Sequence, residues 1–387
     1  MIDSDMLALL ASPARPNGNG PIVVPELSVP PAKTPVKTPW QLVCGQNNVG
    51  PTYELANAKS ISLNWHVDDS GFLQFNIDGN DPAVQYIQEL VTDIWMYKNG
   101  ILIDRFRVGS ATDTLDGEAD TYDLQINAFN YREWLKRQLL QPSHVWSWRN
   151  KTQTQIINDL YNIVIAGQSG IHPTFTIDTS KMPTSTVNFD TTPGTSVNEV
   201  IGVMSGFGWQ VFPNSTMGLT LRAVASFYYN LNPNFVLQYG STVSKVQRSY
   251  DTASYGNSSV FTGDTSLTPI QSDATGIATM PQGRLGTTGS DSNIKDTAHL
   301  SKAAADDATR SQSVVPTWQC TIALGAWTSP SDAWIGDICK FICQKGTRIN
   351  INDQYRITDL SIAVNEDSTV ADGVDITVAK PPYIPSS

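Results

Sequence analysis

Apolar and polar residues alternate with a period of two over the first part of the chain, which is the pattern of half-buried β-strands. One predicted strand carries its apolar residues on a single face, at Ile61, Leu63, Trp65 and Val67. Another strand, over residues 93–97, is followed by Lys98-Asn99-Gly100, a strong signal for a hairpin turn. Five or more antiparallel strands of this kind predict a first β-barrel domain over residues 40–130.

The period lengthens to that of an amphipathic helix in the next part of the chain. Apolar residues recur at helical spacing after Thr152, a suitable N-cap residue, at Ile156, Ile157, Leu160, Tyr161 and Val164. Residues 195–205 repeat this pattern, and a hairpin is predicted over residues 209–224. These patterns predict a middle α+β domain over residues 131–235.

Alternating strands return in residues 236–262 and 313–387, which predict a second β-barrel domain. The intervening residues, 263–312, are rich in Gly, Ser, Thr and Asp and predict an inserted loop followed by a weak helix. Strands that begin at residues 72, 93, 106 and 122 are answered in the same order by strands at 318, 337, 355 and 374. The ordered matches indicate an internal duplication. The predicted fold class is therefore a β-rich α+β protein with two similar β-barrel domains, an α+β part between them and an extended Pro-rich N-terminal arm.

The predicted arm, residues 1–39, contains eight prolines between residues 13 and 39 and cannot form regular hydrogen-bonded ladders or continue a helix. Two interpretations remain open. The first is a disordered tail. The second is an arm that wraps a neighbouring subunit, with docking residues Ile22, Val23, Val24 and Leu27, because a pure linker needs no such apolar residues.

The charge of the chain disfavours nucleic-acid binding. Lys and Arg number 25 against 36 Asp and Glu, so the net charge is -11, which repels phosphate backbones. No apolar run is long enough to predict a membrane span, and the acidic start does not resemble a signal peptide, so synthesis in a cytoplasm is expected. Four scattered cysteines do not form a disulfide framework.

Candidate chemistry is sparse. His66, Asp68 and Asp69 have the spacing of metal ligands on a strand, but they also fit a plain turn. Trp146 and Trp148 share a strand face and could stack on a sugar, but core or interface packing is the favoured interpretation of the pair. We therefore expect no catalytic residues, no bound metal and no cofactor. Five carboxylates cluster in a predicted hairpin loop without a compensating cation, at Asp113, Asp116, Glu118, Asp120 and Asp123.

The order of these parts resembles the tail hub proteins of long-tailed bacteriophages, also called baseplate hub or tail-tip proteins. The resemblance covers residues 55–380 and rests on four passages: the strand block that runs into Asn130-Tyr131-Arg132, the helix at 152–165, the helix-to-hairpin passage at 196–212, and Tyr239-Gly240-Ser241 before a strand.

The resemblance implies a homotrimer with two tube-like β domains per chain. Its partners would be the distal tail protein or tail tube subunits and other tail-tip or fibre proteins. The location would be the tail tip of a virion, after synthesis in the bacterial host cytoplasm, and DNA would pass through without specific binding. The acidic loop would then border the channel or be a solvated rim loop. A tail-associated cell-wall hydrolase and a glycan-binding adhesin are the alternative functions.

Overall fold

The computed structural model describes residues 40–380 with short gaps. The gaps are residues 47–48, 68, 141–145, 167–173, 182–185, 192–194, 198–199, 201–206, 226–229, 251–254, 275–276, 280–282, 291–293, 295, 312–315, 330–331 and 366–371. The predicted arm, with Ile22, Val23, Val24 and Leu27, lies outside the described residues.

The first strand block follows the predicted alternation. Its strands are β1 (Trp40–Gln46), β2 (Gly50–Glu54), β3 (Lys59–His66), β4 (Phe72–Asp78), β5 (Thr92–Lys98), β6 (Ile101–Asp116) and β7 (Thr121–Asn130). Along β4, Leu73, Phe75 and Ile77 are buried and the residues between them are partly exposed. The turn between β5 and β6 uses Asn99 and Gly100 at φ 54 and 75, the left-handed conformation that a tight hairpin requires.

The middle part combines helices and short strands. Its elements are α1 (Tyr131–Lys136), β8 (Ser147–Thr152), α2 (Gln153–Ala166), β9 (Thr174–Lys181), β10 (Thr186–Asp190), β11 (Phe207–Pro213) and β12 (Gly218–Ala225). Thr152 is the N-cap of α2, as predicted. Its hydroxyl accepts a hydrogen bond from the Gln155 backbone N–H at 3.2 Å, and the Gln155 side chain accepts one from the Thr152 N–H at 2.9 Å, which is a capping box. The predicted hairpin is the antiparallel pair β11–β12.

The last part of the chain returns to strands and contains an insertion. The elements are β13 (Asn230–Gln238), β14 (Val243–Ser249), β15 (Ser258–Thr262), β16 (Ile270–Asp273), β17 (Gly286–Ser290), α3 (Thr297–Ser311), β18 (Thr317–Ile322), β19 (Asp337–Lys345), β20 (Ile349–Ala363) and β21 (Gly373–Ala379). The predicted weak helix is α3, which buries Leu300, Ala304 and Ala308 at intervals of four residues.

The insertion has a sheet of its own, in place of the long loop expected from the sequence. β15 pairs antiparallel with β16 and parallel with β17. Of the described residues, Val246–Gln319 and Val378–Lys380 accordingly belong to one compact unit, and residues 40–245 belong with Cys320–Thr377 to the other. The strand at 258–262, expected in the second β domain, therefore pairs within the insertion, because its two edges are taken up by β16 and β17.

The two strand blocks share one sheet of 13 strands. Its order is β14-β18-β21-β20-β3-β4-β7-β6-β5-β1-β2, with β19 paired to both β20 and β13. The blocks join where β20 pairs antiparallel with β3, from Asp359 opposite His66 to Ala363 opposite Ser62. Within the described residues this order closes no ring of strands, and the division into two barrels stays a prediction.

The same strand order occurs twice in this sheet. The path β3-β4-β7-β6-β5 in the first block corresponds to β14-β18-β21-β20-β19 in the second block. The β5 strand then pairs antiparallel with β1, whereas β19 pairs parallel with β13. Asp93 lies near the start of β5 and Asp337 begins β19, so both lie at corresponding places in the two paths.

Candidate assembly surfaces

The five predicted carboxylates lie together on the hairpin formed by β6 and β7. Asp113 and Asp116 are in β6, Asp123 is in β7, and Glu118 and Asp120 lie in the turn. The Asp116 carboxylate orders this turn because it accepts hydrogen bonds from the backbone N–H groups of Glu118 at 2.9 Å and Ala119 at 3.1 Å. The five carboxylates are therefore neighbours on one hairpin.

The electrostatic environment of the hairpin is strongly negative. Asp123 lies directly opposite Asp78 on β4, so like charges are neighbours across the strands. The Tyr122 hydroxyl donates a hydrogen bond to Asp113 at 2.5 Å, and this bond raises the pKa of Tyr122 above its usual range. No Lys or Arg occurs between residues 108 and 130. The hairpin is therefore suited to attract a cationic surface or to repel an anionic one.

One edge of β6 has no strand beside it in the described part of the chain. Residues 106–116 of β6 pair with β7 on one side. On the other side β5 pairs only as far as Arg107, and the segment before β5 adds one bond, from the Leu90 N–H to the Val108 carbonyl at 2.8 Å. Beyond that bond the edge is open, and Leu115 is 77% exposed. Open strand edges template pairing with another chain.

The β14 strand forms a second open edge. It ends the sheet, with β18 as its sheet neighbour among the described strands. Lys245 and Gln247 are exposed, and the strand contains no carboxylate. Its charge is therefore opposite in sign to that of the β6 edge.

A buried ionic network lies where β5, β6 and α1 meet. Arg105 and Asp93 are both 0% exposed. The Arg105 Nη2 atom is 2.6 Å from Asp93 Oδ2, and Arg107 Nε is 2.9 Å from Asp93 Oδ1. The Tyr131 hydroxyl is the third partner and donates a hydrogen bond to Asp93 at 2.6 Å. Burial and the Asp93 charge hold the pKa of Tyr131 well above its usual range, so Tyr131 stays protonated.

This network also reaches the hairpin turn between β11 and β12. Arg105 Nη1 donates to the Met217 carbonyl at 3.2 Å, and Trp95 Nε1 donates to the Thr216 carbonyl at 2.5 Å. The guanidinium of Arg105 lies 4.8 Å from the centre of the Trp95 ring, a cation–π contact. Sequence analysis missed these residues, although Arg105 and Arg107 share one face of a predicted strand and were a detectable signal.

A second buried cation joins the two strand blocks. Lys98 at the end of β5 is 4% exposed and lies 3.4 Å from Asp372. Its ammonium group is 4.4 Å from the ring centre of Trp40 and 4.7 Å from that of Trp327. Burial lowers the pKa of Lys98 although Asp372 opposes the effect. These contacts fix β1 and β5 against the loops of the second block.

The other candidate residues pack in the core or pair with neighbouring side chains. Trp148 is 3% exposed, and Trp146 packs against the core of the middle part, so the pair offers no open sugar-stacking face. The His66 imidazole contacts the Asp359 carboxylate across the β3–β20 junction, and Asp69 pairs with Lys136 at 2.7 Å; Asp68 lies outside the described residues. Among the described residues no group of three or more His, Cys, Asp or Glu side chains is placed to hold a metal ion. The four cysteines are buried free thiols.

Comparison with solved structures identifies the fold. The 43 kDa tail protein of prophage MuSo2 from Shewanella oneidensis matches with a TM-score of 0.62 at 12% identity, covering 88% of this chain and 98% of that one. The tail protein from Neisseria meningitidis MC58 matches with a TM-score of 0.61 at 12% identity, covering 88% and 96%. Prophage tail protein gp18 from Listeria monocytogenes EGD-e gives 0.54 at 13%, covering 88% and 94%.

The chain therefore has the fold of prophage tail proteins, and the resemblance to phage tail proteins is confirmed at the level of the fold. No family model matches the sequence, and no curated protein matches it either. No helix in the described part of the chain has the length and apolar character needed to cross a membrane.

Proposed function

We propose that the chain is a structural virion protein, a phage tail hub that joins the hexameric tail tube or the distal tail protein to the threefold tail tip. The observation that carries this proposal is the repeated strand order in a chain with the fold of prophage tail proteins. Three copies of a chain with two similar tube-like β domains supply six such domains. A homotrimer of this kind matches a sixfold neighbour on one side and a threefold neighbour on the other.

The hub has a structural role and no enzymatic one in this proposal. The charged side chains at the centre of the fold bind one another, since Asp93 accepts hydrogen bonds from Arg105, Arg107 and Tyr131. Charged groups that are satisfied in this way hold packed elements together. The alternative of a glycan-binding adhesin loses its main support because Trp148 is buried in the core of the middle part.

The acidic hairpin borders the DNA path in this proposal. DNA must pass a hub without binding to it, and carboxylates at the wall repel phosphates, whereas Lys or Arg would release counterions and hold the duplex. Repulsion between exposed charges extends only about 8 Å at physiological salt, so the tip of the hairpin must lie close to the path.

The N-terminal arm is assigned to the assembly. Its docking residues would be Ile22, Val23, Val24 and Leu27, since the prolines leave few backbone donors. We expect residues 1–39 to be cleaved rapidly by protease in the free chain and to be protected in the particle. Protection of the arm in the free monomer would contradict this assignment.

The test of the proposed function is localisation on the particle. The chain would be tagged at its C-terminus in a lysogen or phage that encodes it, and the particles would be imaged with a gold-labelled antibody. We expect label at the tail tip only. Label on the capsid or along the tail, or none on intact particles, would overturn the proposal. The purified chain should also leave host cell wall intact, and turnover of cell wall would favour the hydrolase.

A further inference from the structure

Exposed apolar side chains gather at one end of the first strand block. They come from the β1–β2 hairpin, from the loop that precedes β5 and from the turn between β11 and β12. Each is between 37% and 65% exposed, and together we call them the tyrosine patch: Val49, Tyr53, Tyr86, Leu90, Val91 and Met217. The name refers to Tyr53 and Tyr86, whose rings stack with their centres 3.5 Å apart.

Buried contacts hold the segments of the patch together. Thr92 is buried and lies opposite Gln46 at the end of β1. Its hydroxyl donates a hydrogen bond to the Tyr86 carbonyl at 2.8 Å, which fixes the loop beside the hairpin. A Cβ atom at Gly50 would lie only 3.1 Å from Met217 Sδ, so the third segment lies against the hairpin as well. The patch is therefore one preformed surface.

Leu90 is the member of the patch that core packing explains least. Its φ is 63, a left-handed conformation that bulky side chains adopt rarely and at an energetic cost. A hydrogen bond from its N–H to the Val108 carbonyl at 2.8 Å fixes the backbone there. The side chain is 62% exposed, so the core gains little from it. A leucine that is held in a costly conformation and exposed to solvent is typical of a contact surface.

The border of the patch is acidic. Glu54 follows Tyr53 and Glu89 precedes Leu90, and both carboxylates are exposed. Lys59 is the single Lys or Arg in the sequence between residues 41 and 97. The partner that fits this surface is therefore apolar and positively charged.

One segment of the N-terminal arm has this character. Residues 29–37 read Val-Pro-Pro-Ala-Lys-Thr-Pro-Val-Lys and contain three prolines, two valines, two lysines and no acid. Pro-rich segments dock on surfaces lined by exposed aromatic rings, because a chain that is already extended loses little entropy on binding. The lysines of the segment complement the acids at the border of the patch.

We infer that the tyrosine patch receives residues 29–37 of the N-terminal arm of a second copy of this chain. The prolines and valines contact the stacked rings of Tyr53 and Tyr86, and Lys33 and Lys37 face the acidic border. The inference rests on the proposed role of the arm in assembly, and it names the surface that holds the arm.

The root of the arm explains why the patch of another copy is used. Trp40 is fixed at the start of β1, where its Nε1 donates to Asp372 at 2.7 Å and the Lys98 ammonium lies 4.4 Å from its ring centre. The patch lies at the other end of β1, about 20 Å away at 3.3 Å per residue. Thr34 and Thr38 precede prolines and are restricted to extended conformations. The arm therefore continues away from its own patch, and residue 29 reaches about 34 Å from Trp40.

Charge disfavours the other occupants of the patch. Two patches placed face to face would bring the carboxylates of Glu54 and Glu89 from both copies together. Nucleic acid would be repelled by the same carboxylates. The arm supplies apolar groups and cations in one short segment.

Photochemical cross-linking tests the contact in assembled particles. The photoreactive residue benzoylphenylalanine would replace Ala32 in the full-length chain, and particles assembled in the host would be irradiated. We expect an adduct of about twice the chain mass of 42.2 kDa, in which Ala32 is joined to residues 49–54 or 84–91. An adduct within one chain, an adduct at another surface or with another protein, or no adduct would overturn the inference.

The variant Leu90→Asn separates docking from folding. Asn tolerates the left-handed conformation, so the thermal midpoint of unfolding should be unchanged or higher, whereas the yield of the adduct should fall. Leu324→Asn replaces a leucine of similar exposure, 60%, outside the patch and should leave the yield unchanged. Equal yields for the two variants would reject the patch as the docking site.

A charge exchange tests the acidic border independently. Glu54→Lys with Glu89→Lys should lower the yield of the adduct about fivefold, the effect of two exposed ion pairs. Lys33→Glu with Lys37→Glu should lower it equally, and the four changes together should restore it. Failure of the combined chain to recover would contradict the assigned contact. Tail-tip labelling that succeeds while these yields do not change would leave the hub function standing and reject this contact alone.

Discussion

Asp93 is the residue on which the buried ionic network depends. Its carboxylate compensates two guanidinium groups, and Arg105 has no exposure to water. Removing one partner of a buried ion pair leaves an uncompensated charge, which costs about 3–5 kcal/mol. We therefore expect Asp93→Ala to lower the free energy of unfolding by about that amount, measured by guanidinium titration. The exposed Asp123→Ala should change it by less than about 0.5 kcal/mol, and equal losses would contradict the assigned role of the network.

Asp104 makes stability depend on pH. Burial raises the pKa of this carboxyl from 3.8 to about 7, although hydrogen bonds from Trp65 Nε1 and the Arg105 N–H favour the charged form. A carboxyl whose pKa is raised by folding opposes folding as it ionises, so stability falls between about pH 4 and pH 7 and is constant above. The full effect is on the order of 4 kcal/mol.

The variant Asp104→Asn removes this titration and retains an acceptor for Trp65. The difference in free energy of unfolding between this variant and the unmodified chain should therefore shift in favour of the variant as the pH rises from 4 to 7. Asp123→Asn, at an exposed carboxylate, provides the control and should follow the unmodified profile. Parallel profiles for Asp104→Asn and the unmodified chain would show that Asp104 is ionised throughout.

At the scale of elements, the β6–β7 hairpin has a structural carboxylate and a tip. Asp116 accepts hydrogen bonds from the backbone N–H groups of Glu118 and Ala119 and so orders the turn, whereas Glu118 and Asp120 lie at the tip. Because replacing Asp116 would disturb the turn, the DNA path is tested at the tip alone. We expect Glu118→Lys with Asp120→Asn to slow DNA ejection and to leave particle assembly intact. Asn suits the left-handed φ of 50 at Asp120.

The readout is DNA release from purified particles, followed by the fluorescence of an intercalating dye. A matched change on α3, Asp306→Lys, alters the charge of an exposed helix outside the hairpin and should leave the release rate unchanged. If the tip variant releases DNA at the unmodified rate, the hairpin is a solvated rim loop.

The sequence predicted most elements because their apolar periods are regular. The alternation of Leu73, Phe75 and Ile77 in β4 predicts a strand, and Thr152 predicts the start of α2. The short strands β16 and β17 were missed because Ile-Gln-Ser-Asp and Gly-Thr-Thr-Gly-Ser contain hardly any apolar residues and pair only because β15 supplies two edges. The acidic hairpin was predictable from local composition. For the Asp93 network the sequence offered only Arg105 and Arg107 on one strand face, since the fold alone brings Asp93 and Tyr131 to them.

At the scale of the whole molecule, the repeat predicts the copy number. Each chain carries two corresponding strand paths, and a sixfold neighbour requires six. We expect three copies of the chain per tail in a native mass measurement of isolated tail tips. Six copies would indicate that each chain contributes a single position to the ring, and one copy would exclude a ring. Either result contradicts the proposed hub.

The β20–β3 junction has a kinetic consequence for that assembly. In a ring of six β domains, three of the six junctions form within a chain during folding, at a rate that does not depend on concentration. Only the other three join separate molecules, and a tethered contact acts at an effective concentration in the millimolar range for short connections. In the proposed ring, three chains therefore need two encounters, whereas six separate subunits would need five. The ring should tolerate dilution far better than one built from six separate subunits.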